Sequence, residues 1–146
     1  MTKFKQQIEF YLNVIVTVML VVVTGFYIAN VNQPYYQDMN IVILATLIAT
    51  LFLSVLPFGL KAIHSDQARF IFANVLKIAL PAFIIFSGVQ FLAMRVESFG
   101  YIFASNLEVG NTEATTAGTQ AIFLLVLFVI TWLVSVVTSF VSAEDE

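Results

Sequence analysis

The sequence predicts an all-α, polytopic membrane protein: a four-transmembrane-helix bundle with both the N- and the C-terminus in the cytoplasm. Three observations predict this fold class. Of the 146 residues, 60% are hydrophobic and only 10% are charged, whereas soluble domains carry about 25% charged residues. Four apolar stretches each have about 20 residues, the length that an α-helix needs to cross a bilayer. The basic residues fall mostly in the segments that four such crossings place on one side.

The four apolar stretches are taken as the membrane spans of a single domain, residues 1–146. The first span covers residues 10–29 and the second covers 41–60, while the third lies within 70–94 and the fourth covers 119–141. None of them alternates polar and apolar residues as the strands of a membrane barrel do. Lipid also requires the backbone polar groups to be paired internally, which a helix achieves by itself. We expect the first stretch to be a retained helix, because no small-residue cleavage site follows its apolar run.

The three connections between these spans differ in length and composition. Residues 30–38 contain turn-forming Asn, Pro and Asp together with two tyrosines, which suit a membrane interface. In the second connection, 59–66, Ser65 and Asp66 are candidate N-caps for the helix that follows. The third connection, 95–118, is the longest, and we expect helices three and four to continue into it. The topology predicts that this third connection is extracytoplasmic.

The positions of lysine and arginine predict the orientation. Five of the six basic residues fall on the side of the two termini or nearest to it: Lys3, Lys5, Lys61, Arg69 and Lys77. Only Arg95 falls on the other side, where we expect it to end the third span and to reach outward into water. Because cytoplasmic loops carry an excess of Lys and Arg, both termini are predicted to be cytoplasmic. The predicted location is the inner or plasma membrane of a cell, with several crossings.

Small, weakly polar residues at helical spacing predict how the helices meet. The residues are Thr46, Thr50 and Ser54 in the second predicted helix and Thr131, Ser135 and Thr138 in the fourth. Each set falls on one helix face. Such faces form either the packed seam of a bundle or a polar pathway through it. Hydroxyl groups alone leave both interpretations open, because Ser and Thr in a helix can bond their own backbone.

Lys77 is the first candidate for a functional residue, because an ionisable group inside a membrane is costly. If the third helix crosses directly, Lys77 lies near the bilayer centre, where it could hold a substrate carboxylate or pair with Glu9. Alternatively, residues 66–77 form an amphipathic helix in the inner headgroup region, and Pro81 bends the chain into the membrane. We favour the interfacial alternative, because residues 78–94 are already long enough to span.

Three further residues are polar in apolar surroundings. Asn13 lies four residues after Glu9 and shares its face of the first helix. Gln90 places an amide inside the third span, and Trp132 places an indole N–H near the middle of the fourth. An amide or an indole at that depth needs a hydrogen-bond partner. Gln90 and Trp132 therefore predict contact with another helix or another subunit.

The features of several function classes are missing from the sequence. The chain has no cysteine and one histidine, which excludes thiolate chemistry and a histidine-rich metal site within one chain. The scattered basic residues provide no patch for nucleic acid. None of the HExxH, GxSxG, GxGxxG and P-loop motifs occurs. We therefore expect no enzymatic activity, no cofactor and no bound metal.

Together these observations predict a non-enzymatic integral membrane subunit. Its expected partners are the lipid bilayer and either other copies of itself or other subunits of a larger membrane complex. The alternative is an oligomeric ion channel or small-solute transporter whose Thr/Ser helix faces line a path. A third hypothesis is a scaffold that binds membrane partners through residues 66–77. The first two differ in what the hydroxyl faces contact, which is protein in a subunit and water in a channel.

Overall fold

The computed structural model describes residues 2–59 and 65–143. Its regular structure is entirely α-helical in these ranges. The helices are α1 (Thr2–Val31), α2 (Ile41–Gly59), α3 (Asp66–Phe103) and α4 (Thr112–Ala143). All four are long and apolar enough to cross a membrane. The prediction of an all-helical chain with four such helices is therefore confirmed. Of the residues discussed above, Lys61 lies outside the described ranges, as do the last residue of the predicted second span and most of the second connection.

The four helices pack as a ring in chain order. Each helix contacts the next one, and α4 closes the ring by packing against α1. Residues 32–40 join α1 to α2 and residues 104–111 join α3 to α4, so these two connections lie at the same end of the bundle. We call this end the Arg95 end, after a residue that lies there. The opposite end contains the starts of α1 and α3 and the end of α4, and we call it the Lys77 end.

Side-chain caps determine where three of the helices begin. Asn40, Ser65 and Asn111 each precede a helix, and the side-chain oxygen of each accepts a hydrogen bond from a backbone N–H, at 2.9, 3.4 and 3.1 Å. Such caps satisfy N–H groups that have no partner within the helix. Ser65, one of the two candidate caps in the sequence, is the N-cap of α3. Gly110, just before the Asn111 cap, has a φ of 83°, a left-handed conformation that glycine adopts without steric cost.

The helix α3 contains both segments that the favoured interpretation assigned to separate helices, residues 66–77 and 78–94. Residues 66–77 are the first turns of α3, which continues through Pro81 to Phe103. The reason lies at the proline, which has no N–H to donate to the carbonyl of Lys77, four residues earlier. The hydroxyl of Ser139 on α4 donates to that carbonyl instead, at 2.7 Å. The freed carbonyl thus has a partner, and the helix continues where we expected a surface helix to end.

The interior of the bundle is an apolar core to which all four helices contribute. Leu20, Leu47, Ile84 and Leu124, one from each helix, are fully buried. The helices α3 and α4 approach closely at Gly88, where a Cβ atom would lie 3.3 Å from the Cβ of Phe128. A Cβ atom at this position would require Phe128 to shift by a few tenths of an ångström.

Polar side chains form two layers, one near each end of this core. On α3, Lys77 and Arg95 are 18 residues apart, about 27 Å at 1.5 Å per residue. On α1, Asn13 and Asn30 are 17 residues apart, about 26 Å by the same rise. Both separations are close to the roughly 30 Å thickness of a bilayer's hydrocarbon core.

Candidate functional sites at the two ends of the bundle

The guanidinium of Arg95 is the centre of the polar layer at the Arg95 end. Arg95 is 1% exposed. Its Nη1 and Nη2 donate to the two carboxylate oxygens of Asp38, at 2.5 and 3.0 Å, and its Nε donates to Oδ1 of Asn30 at 3.1 Å. Two parallel charge-assisted hydrogen bonds fix both the distance and the orientation of an arginine–carboxylate pair. Arg95 therefore fastens α3 to the end of α1 and to the connection that follows it.

Two aromatic rings lie against the same guanidinium. Its Cζ lies 3.5 Å from the ring centroid of Tyr36 and 5.2 Å from that of Phe91. The hydroxyl of Tyr36 shares a hydrogen bond with Ser98 at 3.2 Å, and the Ser98 hydroxyl donates to the carbonyl of Arg95 at 2.8 Å. A flat guanidinium can stack on a ring and bind a carboxylate with two donors at once, which a lysine cannot do. The site is therefore specific for arginine.

Asn30 extends this layer from α1 to α4. It is fully buried, and its Nδ2 donates to the carbonyl of Ala117 at 3.0 Å and to Oε1 of Gln120 at 3.3 Å. Gln33 donates to the same Oε1 at 3.0 Å. Asn30 thus accepts from Arg95 and donates to α4, so both halves of its buried amide have partners.

The expectation that Arg95 reaches outward into water was wrong. The physical reason is the course of residues 32–40, which fold back over the end of α3. The backbone N–H of Asp38 donates to the carbonyl of Val31 at 3.2 Å, and Gln37 takes a positive φ of 44° at the turn. This turn brings the Asp38 carboxylate onto Arg95, so the charge is neutralised inside the protein.

Sequence reasoning did not predict that Asn30, Tyr36, Asp38 and Gln120 lie in one layer with Arg95. One signal was present, because Arg95 is the only basic residue at its end and Asp38 is an acid in the facing connection. The signal was insufficient, because the pairing depends on how residues 32–40 fold.

The two connections at the Arg95 end also contact each other. The hydroxyl of Tyr35 donates to Oε1 of Glu108 at 3.2 Å, and Asn111 donates to Oε2 of the same carboxylate at 2.8 Å. Partial burial, and then the negative charge of Glu108, raises the pKa of the Tyr35 phenol above its usual 10.0. The shift favours the protonated phenol, which is the form that donates to Glu108.

At the Lys77 end, a cleft brings together two candidates that lie far apart in the sequence. Glu9 and Asn13 of α1 line it together with Lys77 of α3. Pro57 of α2 also lines it. From α4 come Ser135, Thr138 and Ser139. The cavity volume is about 40 Å³, which is room for a few water molecules. A cleft of this volume with a cation, a carboxylate and hydroxyls suits water or a small ion.

The Thr and Ser residues of the two predicted faces lie at helix contacts. Five of them are buried, with at most 7% exposure, and Thr46 is partly buried. Each hydroxyl donates to a backbone carbonyl three or four residues earlier in its own helix, at 2.6 to 2.8 Å. The residues are Thr46, Thr50, Ser54, Thr131, Ser135 and Thr138. Their donor groups are therefore used within the bundle.

Gln90 and Trp132 occupy different environments. Trp132 is half-buried and packs against the apolar core. Gln90 is exposed on the outside of α3, and its amide forms no hydrogen bond with any residue in 2–59 or 65–143. The structure therefore does not bring Gln90 to another helix of the same chain. A second polar group without a partner in the same ranges is the buried hydroxyl of Ser87.

Among the described side chains, no group of three or more His, Asp or Glu residues is placed to hold a metal ion. Comparison of the chain with protein-family models, with curated proteins and with solved structures finds no match. The arguments about function below therefore use the geometry of the two polar layers and of the outer surface.

Proposed function

We propose that the chain is a non-enzymatic integral membrane subunit that assembles with copies of itself or with other membrane subunits. This proposal rests on where polar groups lie in the helix segments that separate the two polar layers. The hydroxyls of the two Thr/Ser faces are bonded to backbone, while the exposed side chains of the described helices are apolar there, with Gln90 as the exception. Apart from the Ser87 hydroxyl, the interior polar groups of the bundle are already bonded, so its outer surface is left for association.

Membrane insertion is part of this proposal. Large apolar side chains cover the outside of the bundle, and Phe52 and Ile78 are 72% and 74% exposed. A surface of this kind would aggregate in water, whereas lipid matches it. The two polar layers are separated by about the thickness of the hydrocarbon core. Insertion with one layer at each interface would keep both layers next to water or headgroups.

The Lys77 end is proposed to face the cytoplasm. Lys3, Lys5, Arg69 and Lys77 lie towards this end, whereas Arg95 at the opposite end is buried against Asp38. Because four of these basic residues lie towards the Lys77 end and one lies at the Arg95 end, the excess of Lys and Arg supports this orientation.

The orientation can be tested by cysteine labelling, since the chain has no cysteine of its own. Gln6→Cys and Asn106→Cys place one thiol near each end, at positions that are exposed. A membrane-impermeant maleimide should label Asn106→Cys in intact cells and Gln6→Cys only after the membrane is permeabilised. The reverse pattern would overturn the proposed orientation, and labelling of both sites in intact cells would overturn insertion.

The subunit role can be tested by isolating the protein at native expression levels in a gentle detergent and measuring the mass and composition of the complex. Recovery in fixed ratio with other polypeptides, or as a homo-oligomer of defined size, supports the proposal. Recovery as a monomer without other polypeptides, both in detergent and after reconstitution into lipid discs, would overturn it.

An oligomeric channel or small-solute transporter is the second candidate, and the cleft at the Lys77 end favours it. This role requires the hydroxyl faces to meet water at some stage of transport. Thr50→Val and Ser135→Ala should then change ion or solute flux into liposomes severalfold, while Val129→Ala, at an exposed apolar position, should not. Flux that is absent, or that is equal in all three variants, counts against this candidate and leaves the subunit role in place.

A further inference from the structure

Four exposed side chains form a stripe along the outside of α3: Phe83, Phe86, Gln90 and Ala93. We call them the Gln90 stripe. Phe83 and Phe86 are 40% and 45% exposed. The successive spacings are three, four and three residues, which is the spacing of the a and d positions in a coiled coil. Such a spacing forms a continuous seam that fits a second helix, and no helix in the described part of the chain covers it.

Because of Gln90, the surface that covers this stripe needs a polar group that can bond an amide. Between the two polar layers, Gln90 is the only polar side chain among the described residues that is exposed. It lies five residues from Arg95, about 7.5 Å towards the middle of the apolar zone. An amide exposed to hydrocarbon loses the hydrogen bonds that water would provide, so contact with a polar partner would lower its free energy.

We infer that the Gln90 stripe is a self-association surface, on which α3 of a second copy packs in parallel and the two Gln90 amides bond each other. This inference rests on the proposed membrane insertion and names the interface of the proposed subunit. An amide carries both donors and an acceptor, so it is its own complement. Two copies inserted in the same direction are related by an axis along the membrane normal, which brings each residue of the stripe opposite its equivalent.

The neighbours of Gln90 fit a parallel pair of helices. Ala93 is small and permits close approach towards the Arg95 end, while Phe83 and Phe86 supply contact area towards the Lys77 end. The next position at four-residue spacing is Glu97, whose carboxylate accepts a hydrogen bond from Tyr101 at 2.7 Å. Glu97 lies beyond the level of Arg95, so the two equivalent carboxylates would meet outside the apolar zone, where water and salt screen their repulsion.

Disulfide cross-linking in membranes tests the inference, because an introduced cysteine is the only thiol in the chain. Ala93→Cys leaves Gln90 in place and should form a disulfide-linked dimer on mild oxidation. Leu92→Cys is the matched control, since Leu92 is 43% exposed but lies on another face of α3, about 200° round the helix from Gln90. It should cross-link at a small fraction of the rate of Ala93→Cys.

The role of the amide is tested by adding Gln90→Leu to Ala93→Cys. Loss of one interhelical amide pair should weaken dimerisation about tenfold, the size expected for such hydrogen bonds in a bilayer. Gln90→Asn should retain most of the cross-linking, because it keeps donor and acceptor. Equal cross-linking of Leu92→Cys and Ala93→Cys, no effect of Gln90→Leu, or an adduct with a different polypeptide would overturn the inference.

The outcome can be separated from that of the proposed function. If Ala93→Cys does not cross-link while the isolated protein is still an oligomer or part of a complex, the Gln90 interface is wrong and the subunit role stands. If the isolated protein is a monomer without partners and does not cross-link, both fail.

Discussion

At the scale of single residues, Arg95 has the largest energetic consequences. Removing a guanidinium from water costs several kcal/mol, which only good geometry and further hydrogen bonds can offset. Here the offset comes from the bidentate contact with Asp38, from Asn30 and from the Tyr36 ring. The arrangement makes Asp38 important for stability, because without it the positive charge of Arg95 would be buried without a counter-charge.

We predict that Asp38→Ala destabilises the protein by about 2 kcal/mol. This is below the 3–5 kcal/mol typical of breaking a fully buried pair, because the Asp38 side chain is 40% exposed and water can partly replace it. Adding Arg95→Met should recover much of the loss, since it removes the buried charge. Thermal unfolding in detergent measures both effects.

The exposed pair Arg69–Asp66 provides the control for this prediction. Its side chains are 48% and 88% exposed, so Asp66→Ala should change stability by no more than about 0.5 kcal/mol. If Asp38→Ala is as mild as Asp66→Ala, the Arg95 contact is not a determinant of stability.

The limits of sequence-based prediction differ between these residues. The Thr/Ser faces could be located because helical periodicity places residues on a common face, and that needs no knowledge of loops. The pairing of Arg95 with Asp38 could not be predicted, since it depends on the turn at Gln37. Whether Gln90 faces the interior or the surface also depends on the rotation of α3 in the bundle, which its own polarity does not reveal.

At the scale of helices, the length of an apolar stretch predicts the segment that can cross a membrane. It does not predict where the whole helix begins and ends. The predicted second span, 41–60, nearly coincides with α2 (Ile41–Gly59). The other helices are longer than their spans, because polar residues continue a helix into water until a cap or turn ends it. The continuity of α3 through Pro81 has a different cause. It depends on a tertiary contact, the Ser139 hydroxyl on the carbonyl of Lys77.

This contact leads to a double-mutant prediction. Ser139→Ala should destabilise the protein by about 1 kcal/mol, because it leaves the carbonyl of Lys77 without its donor. Pro81→Ala restores a backbone N–H that can bond this carbonyl, so in that background Ser139→Ala should cost less than about 0.5 kcal/mol. Chemical unfolding of the four proteins measures the coupling. Equal effects of Ser139→Ala in both backgrounds would show that the proline and the serine act independently.

At the scale of the whole molecule, similar lengths along the axes of different helices define a single apolar thickness. The 19 residues of α2 span about 28 Å, and the 18-residue separation of Lys77 and Arg95 on α3 spans about 27 Å. On α4, Gln120 and Ser139 are 19 residues apart, again about 28 Å. The ends of the α3 and α4 intervals are connected, because Arg95 and Gln120 both bond Asn30 and the hydroxyl of Ser139 donates to the carbonyl of Lys77. The polar layers are therefore shared between helices. A bilayer that surrounds the bundle would then have its midplane about halfway between the layers.

Trp132, the only tryptophan of the chain, can report this depth. It lies 12 residues from Gln120 and 7 from Ser139 on α4, about 18 Å from one layer and about 10 Å from the other. Its fluorescence in lipid vesicles should therefore be quenched more strongly by lipids brominated near the ends of their acyl chains than by lipids brominated near the headgroup. As a control, Tyr101→Trp combined with Trp132→Phe moves the probe six residues beyond Arg95 and should reverse the order. Stronger quenching of Trp132 by headgroup-proximal bromine would mean that the bilayer is not centred between the two polar layers.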